Sequence, residues 1–150
     1  MFNRLLATTP DHATLILRLM LGLVFFPHGA QKALGWFGGN GFSGTMGFFT
    51  QQMGIPAVFV FLAIAAEFLG ALGLLAGFLT RVAAFGIGCT MAVAMLMVHK
   101  QHGFFMNWSG SQQGEGYEYH LLAIAIAAAL MIKGGGMLSV DGAIAKKTGV

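Results

Sequence analysis

The chain has 150 residues, of which 57% are hydrophobic and 9% are charged, and its formal net charge is +3. A soluble globular domain carries about 25% charged residues, so thirteen charged side chains are too few to cover a water-soluble monomer of this size. The same composition excludes a polar disordered chain, and so small a net charge does not indicate nucleic-acid binding. The sequence therefore predicts an integral membrane protein, with the lipid bilayer as its main partner.

Four apolar stretches are candidate transmembrane helices of a single domain that covers residues 1–150. In chain order they are about 13–34, 56–79, 82–98 and 117–133. A helix needs about 20 residues to cross a hydrocarbon core of ~30 Å. The second stretch meets this length, and the third lies near its lower limit. The fourth is uninterrupted only over Leu121–Ile132, so it must recruit residues at its ends. The expected fold is an all-α, four-helix transmembrane bundle.

The connection between the first two spans, residues 35–55, contains a further predicted helix. Its apolar residues fall at helical spacing: Phe42, Met46, Phe49 and Met53. Ser43 stands near its start and Gly54 at its end, as is typical of helix termini. This pattern predicts a short helix that lies in the membrane interface, within the first outer loop.

The positively charged residues predict the orientation of the bundle. Four spans place both termini on one side of the membrane. That side carries Arg4, Arg81, Lys133, Lys146 and Lys147, and the other side carries Lys32 and Lys100. Because Lys and Arg accumulate in cytoplasmic loops, we expect both termini in the cytoplasm.

Ionisable side chains are concentrated in the outer half of the predicted bundle. Glu67 lies near the middle of the second span, and Arg18 lies closer to the inner side. The outer set consists of His28, Lys32, His99, His102, Glu118 and His120. Charge at membrane depth is costly and by default marks a functional site.

Two interpretations of this cluster concern structure and redox chemistry. In the first, Arg18 and Glu67 form a buried ion pair that fixes the register of two helices, and the outer histidines simply lie at the interface. In the second, the cluster binds a quinone or a similar apolar redox ligand. Glu67 would then take up protons, and the donors to the ligand carbonyls would be His28, Lys32 and His120.

Two further interpretations remain open. Haem or a metal ion could bind to His28, His99, His102 or His120, but no pair has a specific ligand spacing and Cys89 is the single cysteine. We therefore predict no metal site. Alternatively, Arg18, Glu67 and His28 could form a pathway for protons or a small solute. Four helices are few for a transporter, so this function would require a homo-oligomer.

Several segments, taken together and in order, resemble the DoxX family of small four-helix inner-membrane proteins. This family is related to the DoxD subunit of thiosulfate:quinone oxidoreductase. The matching segments are Arg18, Phe26–Lys32, Gly54–Pro56, Glu67–Gly70, Gly77–Arg81 and Gly134–Asp141. They cover most of the chain in the expected order and spacing.

The resemblance implies a membrane oxidoreductase, or a membrane subunit of one, in a bacterial inner membrane. In the sulfur-oxidising relatives, electrons pass from thiosulfate to quinone with the help of a second small subunit. The polar positions of the family correspond here to Arg18, His28, Lys32, Glu67 and Arg81. Fold-level resemblance alone does not fix the substrate.

The combined prediction is a quinone-linked redox protein that works with a soluble or membrane-bound redox partner. The predicted catalytic residues are Glu67, His28 and Arg18. The predicted cofactor-binding residues are His28, Lys32, His99, His120 and Glu118. The alternative is a non-catalytic scaffold that anchors or stabilises a soluble redox partner through its long outer loops, with the pair of Arg18 and Glu67 serving only the fold.

Overall fold

The computed structural model describes residues 5–148, and this part of the chain is helical and contains no strand. The expected all-α class is therefore confirmed. Arg4, which entered the charge comparison, lies outside the described residues. The helices in chain order are α1 (His12–Leu34), α2 (Gly41–Gly47), α3 (Ala57–Ala76), α4 (Thr80–Ala94), α5 (Glu118–Lys133) and α6 (Val140–Thr148).

Three helical segments are long and apolar enough to cross a membrane, by length and composition. They are His12–Leu34, Ala57–Ala76 and Thr80–His102. The last of these is α4 with its continuation, which consists of a π-helical turn, Met95–His99, and a 3₁₀ turn, Lys100–His102. The fourth predicted span corresponds to α5, which has 16 residues. At 1.5 Å per residue this helix is ~24 Å long, shorter than a typical hydrocarbon core.

The hydrophobic core lies among α1, α3, α4 and α5. Helix α1 packs against α3, α3 against α4, α4 against α5, and α5 against α1. Its buried side chains are Leu21, Phe25, Ala71, Leu74, Ala84, Ile87, Met91, Ala123, Ala127 and Leu130. Every one of the four long helices contributes to this set, so each buries one face against its neighbours.

The helix predicted within residues 35–55 is present as α2, followed by a π-helical turn, Phe48–Gln52. Helix α2 packs against α1 and α3. It therefore covers the end of the helices that carries Lys32, which the predicted orientation makes the outer end.

Helix α1 begins with a capping interaction that its sequence encodes. The Asp11 carboxylate accepts hydrogen bonds from the Ala13 N–H (3.0 Å), the Thr14 N–H (3.4 Å) and the Thr14 hydroxyl (2.5 Å). These bonds satisfy amides that the first helical turn leaves free. The bond from the Thr14 hydroxyl makes the largest contribution to lowering the pKa of Asp11.

At the opposite end of the helices, which the predicted orientation makes the inner end, Arg18 caps the last turn of α3. Its side chain is almost completely buried, with 1% exposed. It donates hydrogen bonds to the carbonyl oxygens of Leu74, Leu75, Gly135, Met137 and Leu138. The last carbonyls of a helix have no partner within it and carry partial negative charge. Arg18 therefore ties the end of α3 to the segment between α5 and α6.

Two more charged residues connect the helix termini at this end. Arg81 donates hydrogen bonds to carbonyl oxygens in the last turn of α5, those of Met131 and Ile132. Asp141 of α6 is buried, and its carboxylate accepts hydrogen bonds from the N–H groups of Leu79 (2.7 Å) and Thr80 (2.9 Å), where α4 begins. We call Arg18, Arg81 and Asp141 the inner clamp. Its hydrogen bonds connect the ends of α3, α4 and α5 that lie on this side of the bundle.

Candidate functional site

The centre of the candidate site is an ion pair between α1 and α3. Lys32 Nζ lies 2.5 Å from Glu67 Oε2, and the side chains are 28% and 5% exposed. A charge so deeply buried as that of Glu67 is stable only with a close partner. Lys32 supplies this partner from the neighbouring helix. The chain places the pair on the core-facing side of α3, where Glu67 is buried together with residues of the hydrophobic core.

The position of Gly29 explains how the two helices come close enough for this pair. A Cβ atom at Gly29 would lie 2.5 Å from Phe68 Cα and 2.7 Å from the Glu67 carbonyl carbon. The α1 and α3 backbones are therefore in direct contact beside Glu67. Lys32 follows Gly29 by three residues, slightly less than one helical turn of α1. Its flexible stem can then reach the carboxylate.

The sequence leaves open whether Arg18 and Glu67 form an ion pair, and in the structure these two residues have different partners. Arg18 belongs to the inner clamp, whereas Glu67 bonds to Lys32. Arg18 precedes Gly29 by eleven residues, which is ~16 Å along a helix. This separation exceeds the reach of an arginine side chain. The structure thus places Arg18 outside the cluster around Glu67 and gives it contacts with backbone carbonyls.

His28 lies beside the ion pair on the exposed side of α1. It interacts electrostatically with both Lys32 and Glu67. Its imidazole ring lies 6.2 Å from the ring of Phe25, which is buried. The structure therefore brings together the predicted residues His28, Lys32 and Glu67.

A second polar group lies where α4 and α5 meet at the outer end. The His99 and His120 rings are 4.1 Å apart between centroids, and His120 is 5% exposed. His99 Nδ1 donates a hydrogen bond to the Glu115 carbonyl oxygen (2.9 Å). His120 Nδ1 is buried and has no hydrogen-bond partner among the residues that the structure describes. The two histidine rings therefore pack against each other.

Glu118 has a different environment from the one expected of a ligand-binding residue. Its Oε1 accepts a hydrogen bond from the Met106 N–H (2.8 Å), and its own N–H donates to the Phe104 carbonyl (2.9 Å). These bonds fasten the outer loop, residues 103–117, to the start of α5. The ring of His102, also in the predicted outer set, lies against Gly114 of this loop.

Five aromatic rings link the two polar groups, and we call them the ring row. In order they are His28, Phe25, Tyr119, His120 and His99, with successive centroid separations of 6.2, 6.4, 5.6 and 4.1 Å. Sequence reasoning did not assign Tyr119 a role, because Tyr119 belongs to no motif of distinctive spacing. Only the packing of α5 against α1 reveals its position.

A depression at the outer end gives access to Lys32. It has a volume of about 300 Å³ and is lined by Gln31, Lys32, Gly38, Gly39, Asn40, Thr45, Phe48 and Phe49. This volume is at the small end of the range for ligand pockets. Because Lys32 lies in its wall, a small molecule in the depression would contact Lys32, the more exposed member of the ion pair.

The histidines and carboxylates do not form a larger cluster in this arrangement. Within residues 5–148, no three His, Cys, Asp or Glu side chains converge in a way that could hold a metal ion. The polar groups of the site are instead arranged in pairs. Hydrogen bonding and proton transfer are the chemistry that such pairs can provide.

Comparison with known proteins identifies the family. The family model described as DoxX matches residues 13–100. The chain is also 29% identical over 117 residues to a protein of Bacillus subtilis (strain 168) named "Putative oxidoreductase CatD", covering 78% of this chain and 77% of that protein. No solved structure matches the chain. Since the matched segment contains Arg18, His28, Lys32, Glu67 and Arg81, the chain belongs to the DoxX family.

Proposed function

We propose that this protein is a quinone-linked membrane oxidoreductase, or the membrane subunit of one. The observation that carries the proposal is the buried Lys32–Glu67 pair behind a depression at the outer end. Membership of the DoxX family and the similarity to an oxidoreductase support a redox-related membrane protein. The wall of the depression combines the rings of Phe48 and Phe49 with polar side chains, those of Gln31, Lys32, Asn40 and Thr45. Aromatic surface together with hydrogen-bonding groups suits a quinone ring and its carbonyls.

In the proposed reaction, a quinone takes up two electrons and two protons to give the quinol. A reduced soluble or membrane-bound redox partner supplies the electrons. Lys32 donates a hydrogen bond to a ring carbonyl and stabilises the negative charge that develops on its oxygen. Glu67 accepts a hydrogen bond from Lys32 and passes protons to the reduced oxygens, with His28 beside it as a route from the surface. Arg18 supports the fold in this scheme and does not contact the substrate.

The proposal predicts that quinone binding depends on Glu67. We expect purified wild-type protein to bind decylubiquinone saturably, and Glu67→Gln to bind it at least tenfold more weakly, because the neutral amide no longer holds Lys32 in place. Isothermal titration calorimetry in detergent would measure both constants. A His28→Ala variant tests the neighbouring histidine in the same assay.

Asp141→Asn is the matched control for this experiment. It alters a buried carboxylate in the inner clamp, far from the depression. We expect it to lower the melting temperature but to leave the quinone affinity of the folded protein unchanged. Equal affinity of wild type and both Glu67→Gln and His28→Ala would refute the assignment of the site.

We further propose that α1, α3, α4 and α5 cross a bacterial inner membrane as a four-helix bundle, with both termini cytoplasmic and α2 in the outer interface. The shared core of these helices supports this arrangement. Helix α5 is short, and Glu118 fastens the outer loop to its start. Small bilayer deformations accommodate a short span at modest cost.

Cysteine labelling tests whether α5 crosses the membrane. In a Cys89→Ala background, we expect Ser111→Cys in the outer loop to react with a membrane-impermeant maleimide in intact cells. Lys147→Cys in α6 should react only after lysis. If α5 does not cross, both positions lie on the same side and react together. That result would contradict four crossings.

A non-catalytic scaffold is the second candidate function. The observation that favours it is the outer loop, where Phe105 is 67% and Trp108 is 88% exposed. Such exposed aromatic residues are typical of surfaces that contact other proteins or lipid. A scaffold predicts that Glu67→Gln lowers the yield of folded protein without changing the activity of its partner per folded molecule.

A further inference from the structure

Thr45 of α2 is the most deeply buried polar side chain in the wall of the depression. It is 4% exposed, whereas Gln31 and Lys32 in the same wall are partly exposed and Asn40 is exposed. Helix α2 packs against α1, and a threonine side chain has little rotational freedom because its Cβ is branched. The position of the Thr45 hydroxyl is therefore set by the fold.

The Thr45 hydroxyl makes no hydrogen bond in the described part of the chain. A threonine in a helix commonly donates its hydroxyl hydrogen to a carbonyl oxygen of the preceding turn. Thr50, in the π-helical turn that follows α2, does so with the Met46 carbonyl (2.7 Å). Thr45 makes no such bond, so the helix leaves its hydroxyl free for another partner.

That partner reaches Thr45 from the depression. Polar groups in buried positions almost always have a hydrogen-bond partner, either protein, water or ligand. The Thr45 hydroxyl is not completely enclosed by protein atoms, and Thr45 lines the depression. The proposed reaction as described above uses Lys32, Glu67 and His28 and leaves this hydroxyl without a role.

We propose that Thr45 binds the quinone in the depression, by donating a hydrogen bond from its hydroxyl to a ring carbonyl oxygen. This inference rests on the proposed function and adds α2 to a site otherwise built from α1 and α3. Lys32 lies in the same wall, so it binds one carbonyl of the ring and Thr45 binds the other. The ligand class that these two contacts select is a planar ring with two acceptor oxygens.

The chemistry of a hydroxyl suits both forms of this ligand. A quinone carbonyl can accept but cannot donate a hydrogen bond, and a threonine hydroxyl can donate one. After reduction, the quinol carries an O–H group, and the same threonine oxygen can accept its hydrogen bond. The ammonium group of Lys32 can only donate. Thr45 therefore gives the wall a group that can follow the change from quinone to quinol.

A purely structural role of the hydroxyl makes a different prediction for stability. Thr45→Val replaces the hydroxyl by a methyl group of similar size. If the fold needs the hydroxyl, this change leaves the protein less stable. If the fold does not use it, replacing an unpartnered hydroxyl by an apolar group leaves the stability unchanged or increases it. Ligand affinity and thermal stability should then move independently.

The effect on binding separates the hydroxyl from the shape of the side chain. We expect Thr45→Val to bind decylubiquinone about fivefold more weakly than wild type, while its ligand-free melting temperature does not fall. Thr45→Ser keeps the hydroxyl and should retain the wild-type affinity within about twofold. Titration calorimetry and thermal unfolding in one detergent measure the two quantities.

The matched control is Thr50→Val, the same substitution five residues further along the chain. The Thr50 hydroxyl already donates to the Met46 carbonyl, and Thr50 is not among the residues that line the depression. We expect Thr50→Val to retain the wild-type quinone affinity within about twofold.

Infrared spectroscopy gives a readout that a structural role would not move. With ¹³C-labelled carbonyl groups on decylubiquinone, we expect the carbonyl stretches to shift to lower frequency in wild type, Thr45→Ser and Thr50→Val. One of these shifts should be lost in Thr45→Val.

Two results would overturn the role of Thr45 and leave the proposed function intact. One is wild-type affinity in Thr45→Val when Glu67→Gln weakens binding. The other is an equal loss of affinity in Thr45→Val and Thr50→Val, which would trace the loss to the conformation of this segment. If wild-type protein does not bind the quinone at all, the proposed function fails and this inference fails with it.

Discussion

Lys32→Met is expected to destabilise the protein by about 3 kcal/mol, more than Glu67→Gln, although both substitutions remove the same ion pair. The reason is the difference in burial. Glu67 is 5% exposed and Lys32 is 28% exposed. Loss of Lys32 leaves a buried carboxylate without its counter-charge. Loss of the Glu67 charge leaves an ammonium group whose long stem can turn toward the depression and reach water.

The double variant Lys32→Met with Glu67→Gln makes this argument quantitative. It removes both charges, so no buried charge is left unpaired, and we expect it to be more stable than Lys32→Met alone. Thermal or SDS-induced unfolding of the four proteins in one detergent gives the full cycle. An unfolding free energy for Glu67→Gln at or below that of Lys32→Met would contradict the assigned burial.

The helices could be predicted from the sequence because lipid excludes charge, so that membrane-spanning helices stand out as long apolar stretches. The cluster of His28, Lys32 and Glu67 could be predicted for the same reason, since each residue interrupts an apolar stretch. Hydropathy indicates the approximate depth of each residue in the membrane. It does not show which residues on neighbouring helices are in contact.

Arg18 shows the consequence of that limit. An arginine and a glutamate in adjacent spans suggested an ion pair, but the partners of Arg18 are backbone carbonyls at a helix terminus. Any residue type provides a carbonyl, so this kind of contact has no sequence signature. Asp141 was part of the family resemblance, yet its role at the start of α4 depends on a contact across 61 residues of chain.

Tyr119 was missed for a related reason. Its place in the ring row follows from the stacking of its ring on Phe25, which requires α5 to lie beside α1. Four spans alone are compatible with several orders around a bundle. The inner clamp resolves part of this ambiguity, because it joins the ends of α3, α4 and α5. A site at the outer end thus depends on contacts made at the inner end.

Gly29→Ala is expected to disrupt both the helix contact and the ion pair. A Cβ atom at this position would lie 2.5 Å from Phe68 Cα and 2.6 Å from Phe68 N. Backbone atoms cannot move aside as a flexible side chain can, so α1 and α3 must separate. Overpacking of a core typically costs about 1–3 kcal/mol, and we expect a loss at the upper end of this range. Alanine favours the helical conformation over glycine by ~1 kcal/mol. This gain opposes the steric loss, so a measured decrease in stability must come from the steric clash.

The control is Gly88→Ala in α4, another glycine inside a candidate membrane span. Its Cβ would lie 3.4 Å from Ala127 Cβ, an ordinary contact between side chains. We expect this variant to stay within about 1 kcal/mol of wild type and to keep its quinone affinity. Gly29→Ala should lose affinity along with stability, because separation of α1 from α3 pulls Lys32 away from Glu67. If the two variants behave alike, the close approach at Gly29 does not position the ion pair, and the site must tolerate a looser contact between its two helices.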